Sequence, residues 1–183
     1  MRSIGGGIEL SMLSAAPKGS GLGTSSVLAA TLLAVIRDLC GLGWDRSVLL
    51  SRTLALEQLL TTGGGWQDQA GGMHRGVKLI ETSPGLSQRP SLRWLPDQLL
   101  GPAYANQSVL LYDTGHTRLA MNILHEIVRG FFLNSPSHVR TVQEIGENAS
   151  FAADALQRCD YDDLVKVIDR SWRLNQQLDA GTN

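Results

Sequence analysis

The most chemically suggestive stretch is a decapeptide: Pro17, Lys18, Gly19, Ser20, Gly21, Leu22, Gly23, Thr24, Ser25 and Ser26. Glycine at every second position lets the backbone take positive φ and approach a ligand closely. A mostly apolar, charge-free run over 27–36 follows at once. The loop would therefore open onto a helix N-terminus, whose free N–H groups favour an anion. Two better-known glycine loops are excluded. A P-loop ends in Gly-Lys-Ser or Gly-Lys-Thr, whereas Lys18 precedes these glycines, and the dinucleotide fingerprint needs G-x-G-x-x-G rather than G-x-G-x-G. The bland reading of such a loop is a tight turn of small residues; the sharper one is an anion cradle.

A second constellation surrounds Asp68. Gln67 and Gln69 flank it, Trp66 precedes them, and Gly63, Gly64, Gly65 and Gly71, Gly72 enclose the set. An unpaired carboxylate is costly to bury. Asp68 either faces a cleft or braces its own loop. Glu57 lies eleven positions earlier among Leu56, Leu59 and Leu60. It reads as the solvated face of a helix, or as a second acid delivered to the same place.

These residues need elements to position them. Alternating Ile8, Leu10 and Met12 against Glu9 and Ser11 predict a strand over 8–16. A helix over 25–39, apolar nearly all round, is expected to be deeply buried. Asp45 or Ser47 can cap the next helix, which carries Glu57 and stops at Gly63. Residues 76–82 read as a strand, 91–95 as a short strand, 96–100 as a helical turn and 108–113 as a strand. Pro84, Pro90, Pro96 and Pro102 mark a composition shift and a candidate subdomain boundary. Helices are predicted over 118–132, 139–159 and 161–178.

Length and composition bound the rest. The 183 residues suit one large or two small domains. A net charge of −1 argues against a broad nucleic-acid or membrane surface, though not against one local anion site. Cys40 and Cys159 form neither a metal spacing nor a disulfide framework, which suits a reducing, cytoplasmic setting. The four histidines share no ligand spacing. The uncharged run over 19–36 has only about ten solidly apolar residues, too few to span a bilayer.

The decapeptide resembles the central phosphate-binding motif of the GHMP small-molecule kinases, the family of galactokinase, homoserine kinase, mevalonate kinase and phosphomevalonate kinase. The resemblance implies that residues 17–26 wrap the triphosphate of ATP, with Ser25, the second hydroxyl of the motif after Thr24, near Mg²⁺. It implies further that Glu57 binds Mg²⁺ and that Asp68 meets the acceptor hydroxyl, orienting or deprotonating it. Phosphoryl transfer asks the protein mainly for positioning and charge stabilisation. The stretch 56–72 is similar to the L-fucokinase branch of this family and to the related heptose-phosphate kinases, and the match continues through Leu111, Tyr112, Asp113, Thr114, Gly115, His116, Thr117 and Arg118. The whole chain resembles the C-terminal kinase region of animal L-fucokinases.

That likeness implies an α/β (α+β) architecture, with 1–83 part of a ribosomal-S5-like ATP-binding half and 84–183 the start of a helix-rich half. It implies the reaction ATP + L-fucose → ADP + L-fucose 1-phosphate, a salvage step toward GDP-fucose. Gly64, Gly65, Gln67 and Gln69 would lie near the sugar, and Trp66 would stack on the ring or simply pack. Lys18 is open between a phosphate and solvent, and Arg118 between an anion and the first turn of a helix. The family's earlier acceptor-binding motif and its later glycine-rich motif are missing from the 183 residues. The expectation is thus an internal piece of a longer kinase, unable to turn over by itself, with one sheet edge left unpaired. Two alternatives stay open: a non-catalytic nucleotide- or sugar-binding module on the same scaffold, and a kinase for a heptose phosphate or another hexose.

Overall fold

The computed structural model describes residues 5–17, 19–60, 64–85, 88–110, 112 and 120–179, by backbone alone at 120–124 and 126. Lys18, Gly63, Leu111 and the tract 113–118 with Arg118 lie outside the described residues. Contacts divide the chain into two compact units, one running to Arg75 and one beginning at Gly76.

The first unit is built from α1 (Thr24–Cys40), α2 (Arg46–Leu60) and α3 (Gln67–Met73). Helix α1 begins where the glycine loop ends. It stops at Gly41, which takes a left-handed φ of 61° and returns its N–H to the Asp38 carbonyl at 3.3 Å. Asp45 starts α2: its Oδ1 accepts the Val48 N–H at 2.8 Å, satisfying a donor the helix itself leaves free. The Arg52 guanidinium lies over the Trp44 ring, 5.6 Å from its centroid.

Helix α3 occupies the polar segment after the first glycine cluster and takes in the second, Gly71 and Gly72. Glycines disfavour helix by about 1 kcal/mol each relative to alanine, so sequence alone suggested no helix there. Packing supplies the reason for one of them: a Cβ on Gly72 would stand 2.7 Å from Val27 Cγ2. The bare glycine lets α3 lie directly against α1. Ala30, Leu49, Leu50 and Ala70 are buried within this unit, together with the polar Ser26, Thr53 and Gln69. Thr53 satisfies its hydroxyl on the Leu49 carbonyl at 2.8 Å.

Two expectations fail in this unit. Residues 8–16 form no strand, and Ile8, Leu10 and Met12 are 59%, 50% and 56% exposed. A lone extended segment has no neighbour to satisfy its backbone, and among the described residues none pairs with it. Its end is instead a local turn, in which Ser14 Oγ donates to the Ala16 carbonyl and accepts the Ala16 N–H. Nor is α1 deeply buried. Its packing against α2 and α3 hides Ser26 and Ala30 but leaves Val27, Val35 and Leu39 exposed.

In the second unit β1 (Lys78–Glu81) and β2 (Ser91–Trp94) form an antiparallel pair, Lys78 opposite Trp94 and Glu81 opposite Ser91. A turn follows, closed by the Leu100 N–H on the Asp97 carbonyl at 3.0 Å. Then come α4 (Pro102–Ser108), α5 (Ala120–Phe132), α6 (Pro136–Arg158) and α7 (Tyr161–Leu178). Proline opens α4 and α6, where its missing N–H costs nothing. The strand expected over 108–113 is not found in its described part: Ser108 closes α4, and Val109, Leu110 and Tyr112 belong to no strand. Leu95, Leu99, Ala153, Ala155, Leu156 and Leu164 make the core, extended by Val77, Leu79 and Tyr161.

Helices α6 and α7 turn back on each other through Cys159, at a left-handed φ of 53°, and Asp160, whose Oδ1 accepts the Asp163 N–H at 3.0 Å. A groove of about 420 Å³ between them contains Asn148 and Phe151 but none of the site residues expected from sequence. The absence of a Cβ at Gly130 lets the His138 ring close on α5. Among the described residues no helix is long and apolar enough to cross a membrane.

Candidate phosphate-binding site

The three alternate glycines do what their spacing predicts. Gly19, Gly21 and Gly23 have φ of 76°, 74° and 64°, while Ser20 and Leu22 between them are not in the positive region. Alternation of hand along a short loop curls successive N–H groups toward a common centre, a concavity suited to an anion. Gly23 is also the N-cap of α1. No side chain caps the helix there, and no acidic residue occupies its first turn. The first N–H groups of α1 have no intrahelical acceptor, so this positive end is open to a ligand. Pro17, Gly19, Ser20, Gly21 and Leu22 are exposed, as an open binding loop requires.

Glu57 sits in the last turn of α2, half-buried. Ser26 Oγ, in the first turn of α1, donates to both carboxylate oxygens at 2.8 and 2.9 Å. Gln69 Nε2, from α3, donates to Oε2. One carboxylate thus ties three helices together. A charged acceptor is costly to withdraw from water unless it is hydrogen-bonded, and these donors meet that demand with charge-assisted bonds.

Asp68 opens the first turn of α3 on the side facing the loop. A Cβ built on Gly23 would lie 3.3 Å from both Cβ and Cγ of Asp68 and 3.6 Å from Oδ1. The final glycine of the loop is therefore the surface against which Asp68 rests, and its other side is exposed. Loss of water on the loop side pushes the Asp68 carboxyl above its ordinary range, and the charge of Glu57 adds to the rise.

The other residues picked out from sequence are distributed as follows. Ser25 is exposed on α1; the hydroxyl that hydrogen-bonds Glu57 is that of Ser26, one step round the helix. Successive helical residues point about 100° apart, so the sequence could identify the hydroxyl run but not which member turns inward. Thr24 is half-buried, with an Oγ1 that meets no donor or acceptor. Gln67 and Gly65 are exposed. Gly64 accepts from Gln58 Nε2 at 3.4 Å. Gln69, expected near a sugar, is buried at 4% exposure and turned to Glu57, its Oε1 left without a donor. Lys18 lies outside the described residues.

The donor set suits a hard divalent cation. Mg²⁺ takes oxygen ligands, commonly one or two carboxylates with phosphate and water completing the shell. Glu57 and Asp68 supply carboxylates, and Thr24 Oγ1 and Gln69 Oε1 are buried oxygens with no partner. Among the described residues no group of three or more acidic, histidine or cysteine side chains could hold a metal by itself. The arrangement therefore suits a cation shared with a phosphate ligand rather than a closed protein cage. Beside it, a pocket of about 320 Å³ is lined by Ser26, Ala30, Leu49, Gln69 and Met73 among others.

Comparison with known proteins adds two findings. Residues 1–76 match the family described as GHMP kinases N terminal domain. The chain is 49% identical over all 183 residues to an L-fucokinase/L-fucose-1-P guanylyltransferase of Bacteroides fragilis, and 34% identical over 176 residues to a bifunctional fucokinase/GDP-fucose pyrophosphorylase of Arabidopsis thaliana. It spans 19% and 16% of the lengths of those two proteins.

Proposed function

From the match of residues 1–76 to the GHMP kinases N terminal domain family, we propose that the chain carries the phosphate-gripping and acceptor-facing parts of an ATP-dependent L-fucokinase. The observation that supports this most directly is convergence: Asp68 rests on Gly23, the last glycine of the anion loop, and Glu57 is bound to both the first turn of α1 and the residue after Asp68. A polyphosphate held by the loop would have its end beside two carboxylates. The names of both relatives include fucokinase, which favours L-fucose over a heptose phosphate or another hexose as acceptor.

In this reading the anomeric oxygen of L-fucose forms a bond to the γ-phosphorus of ATP as the bond from that phosphorus to the β,γ-bridging oxygen breaks. ADP leaves, and the sugar hydroxyl loses its proton. Asp68 orients that hydroxyl and accepts the proton; a carboxyl raised above its usual range is the better base near neutral pH. The loop amides at 19–24 and the start of α1 bear the charge of the phosphates. Ser25 and Glu57 would hold Mg²⁺, which, when bound, neutralises phosphate charge. Nothing in this chemistry calls for a nucleic acid or a membrane, and a cytoplasmic supply of ATP would serve it.

The test places this chain in the aligned segment of the Bacteroides fragilis protein and measures ADP release with and without L-fucose. Asp68→Asn in that chimera should lose at least about 100-fold in turnover, the usual scale for a general base, while ATP binding stays within a few-fold. A variant that turns over normally would remove Asp68 from this role. A parent chimera that binds ATP but releases no ADP on adding L-fucose, in a protein whose own segment does, would favour the non-catalytic module.

A further inference from the structure

We propose that Ser26 and Gln69 are positioning residues that hold the Glu57 carboxylate in one orientation for a divalent cation, an inference that rests on the function proposed above. Ser26 has one hydroxyl proton, yet its Oγ lies 2.8 and 2.9 Å from the two oxygens of Glu57. Near-equal distances put Oγ midway between the two oxygens, where one proton is shared between them and holds the carboxylate against α1. Gln69 adds a second donor to Oε2. Oε2 therefore meets two donors and Oε1 only the shared one, so Oε1 is the oxygen better placed to accept a further ligand.

Both clamping side chains are fixed. Ser26 is 2% exposed and Gln69 is 4% exposed. They come from different helices: displacement of the Glu57 carboxylate would break its contact with α1, and rotation that swaps its oxygens would break the Gln69 bond from α3. Groups that orient a metal ligand typically change metal affinity about 10–100-fold when removed. Ser25, by contrast, is exposed. Of the motif's two last serines, Ser26 is the one that turns inward to the acid.

Gln69 also links the two acids. It follows Asp68 directly and is bonded to Glu57, so the first turn of α3 cannot shift without moving both carboxylates. The clamp sets the spacing between the group that faces the cation and the group that faces the acceptor.

The experiment titrates the purified 183-residue chain with Mn²⁺ in the presence of ATP, reading the electron paramagnetic resonance of protein-bound Mn²⁺ against Mn²⁺ and ATP without protein, with circular dichroism and thermal melting on every variant. Glu57→Gln should abolish saturable binding. Ser26→Ala and Gln69→Ala should each weaken it about 10–100-fold, and Ser26→Thr, which restores a hydroxyl, should recover it to within about threefold of the parent. If Ser26→Ala fails to fold, Gln69→Ala carries the test. Ser26→Ala and Gln69→Ala binding within twofold of the parent, while Glu57→Gln does not bind, would overturn the clamp and leave the kinase reading intact. Binding unchanged in Glu57→Gln, or no saturable binding by the parent chain, would overturn the clamp, while the kinase reading stands or falls on ADP release by the chimera.

Discussion

Gly23 is asked to do two things at once, and a three-member alanine series can separate them. It holds a left-handed φ of 64°, and it leaves room for Asp68, whose Cβ and Cγ would lie 3.3 Å from an added methyl. Gly21 shares the left-handed backbone, at 74°, but nothing lies within 4 Å of a Cβ there. Gly65 has open space and no left-handed backbone. The left-handed conformation costs an L-residue about 1–2 kcal/mol. Alanine recovers about 0.4–1 kcal/mol by narrowing the unfolded chain. Gly21→Ala and Gly23→Ala should therefore each lose about 1 kcal/mol, and Gly65→Ala, with the recovery and no left-handed cost, should gain about 0.4–1 kcal/mol over the parent.

The functional consequences should diverge where the stabilities do not. In Gly23→Ala the methyl pushes Asp68 back by a few tenths of an ångström. Misplacement of a reacting group by about 1 Å costs about 100-fold, so a shift of that smaller size should cost several-fold in turnover beyond the loss in Gly21→Ala. Urea denaturation of the chain measures the first quantity, and ADP release by the chimera measures the second. Equal turnover in Gly21→Ala and Gly23→Ala would refute the contact between loop and acid. A Gly21→Ala variant as stable as Gly65→Ala would refute the need for left-handed backbone in the loop.

Further outcomes follow from the same geometry. The Asp68 carboxyl is raised in the folded chain by loss of water and by Glu57, so folding holds its proton more tightly than the unfolded chain does. Its ionisation weighs against folding as pH rises through the raised value. Asp68→Asn should thus melt no lower than the parent at pH 7, and any gain should vanish once pH drops below the ordinary carboxylate range; a loss of melting temperature confined to neutral pH would contradict this. Gly72→Ala places a Cβ 2.7 Å from Val27 Cγ2 and should cost about 1–3 kcal/mol by overpacking; adding Val27→Ala should return most of it, read by denaturation of both variants. Asp160→Ala removes the side-chain acceptor of the Asp163 N–H and should cost about 1 kcal/mol by loss of the cap, seen as a lower denaturation midpoint.

Much of this protein is settled within a few residues of each position. The glycine spacing demands a loop of alternating hand, and Gly19, Gly21 and Gly23 adopt it because no side chain opposes a positive φ. Asp45 and Asp160 announce the helices they cap, and the amphipathic period over 161–178 reproduces α7. Such features are local, so they are legible from the chain alone. What spacing could not decide is which hydroxyl of Thr24, Ser25 and Ser26 meets Glu57, because that depends on the rotation of α1 about its axis against α2. Nor could it disclose that Gln69 turns inward, or that a glycine-bounded segment becomes α3, since both depend on how α3 packs against α1 and α2. The strand expected over 8–16 makes the converse point. Alternating side chains prepare a segment for a sheet, but backbone hydrogen bonds with a neighbouring strand create one, and the structure pairs only β1 with β2 among the described residues.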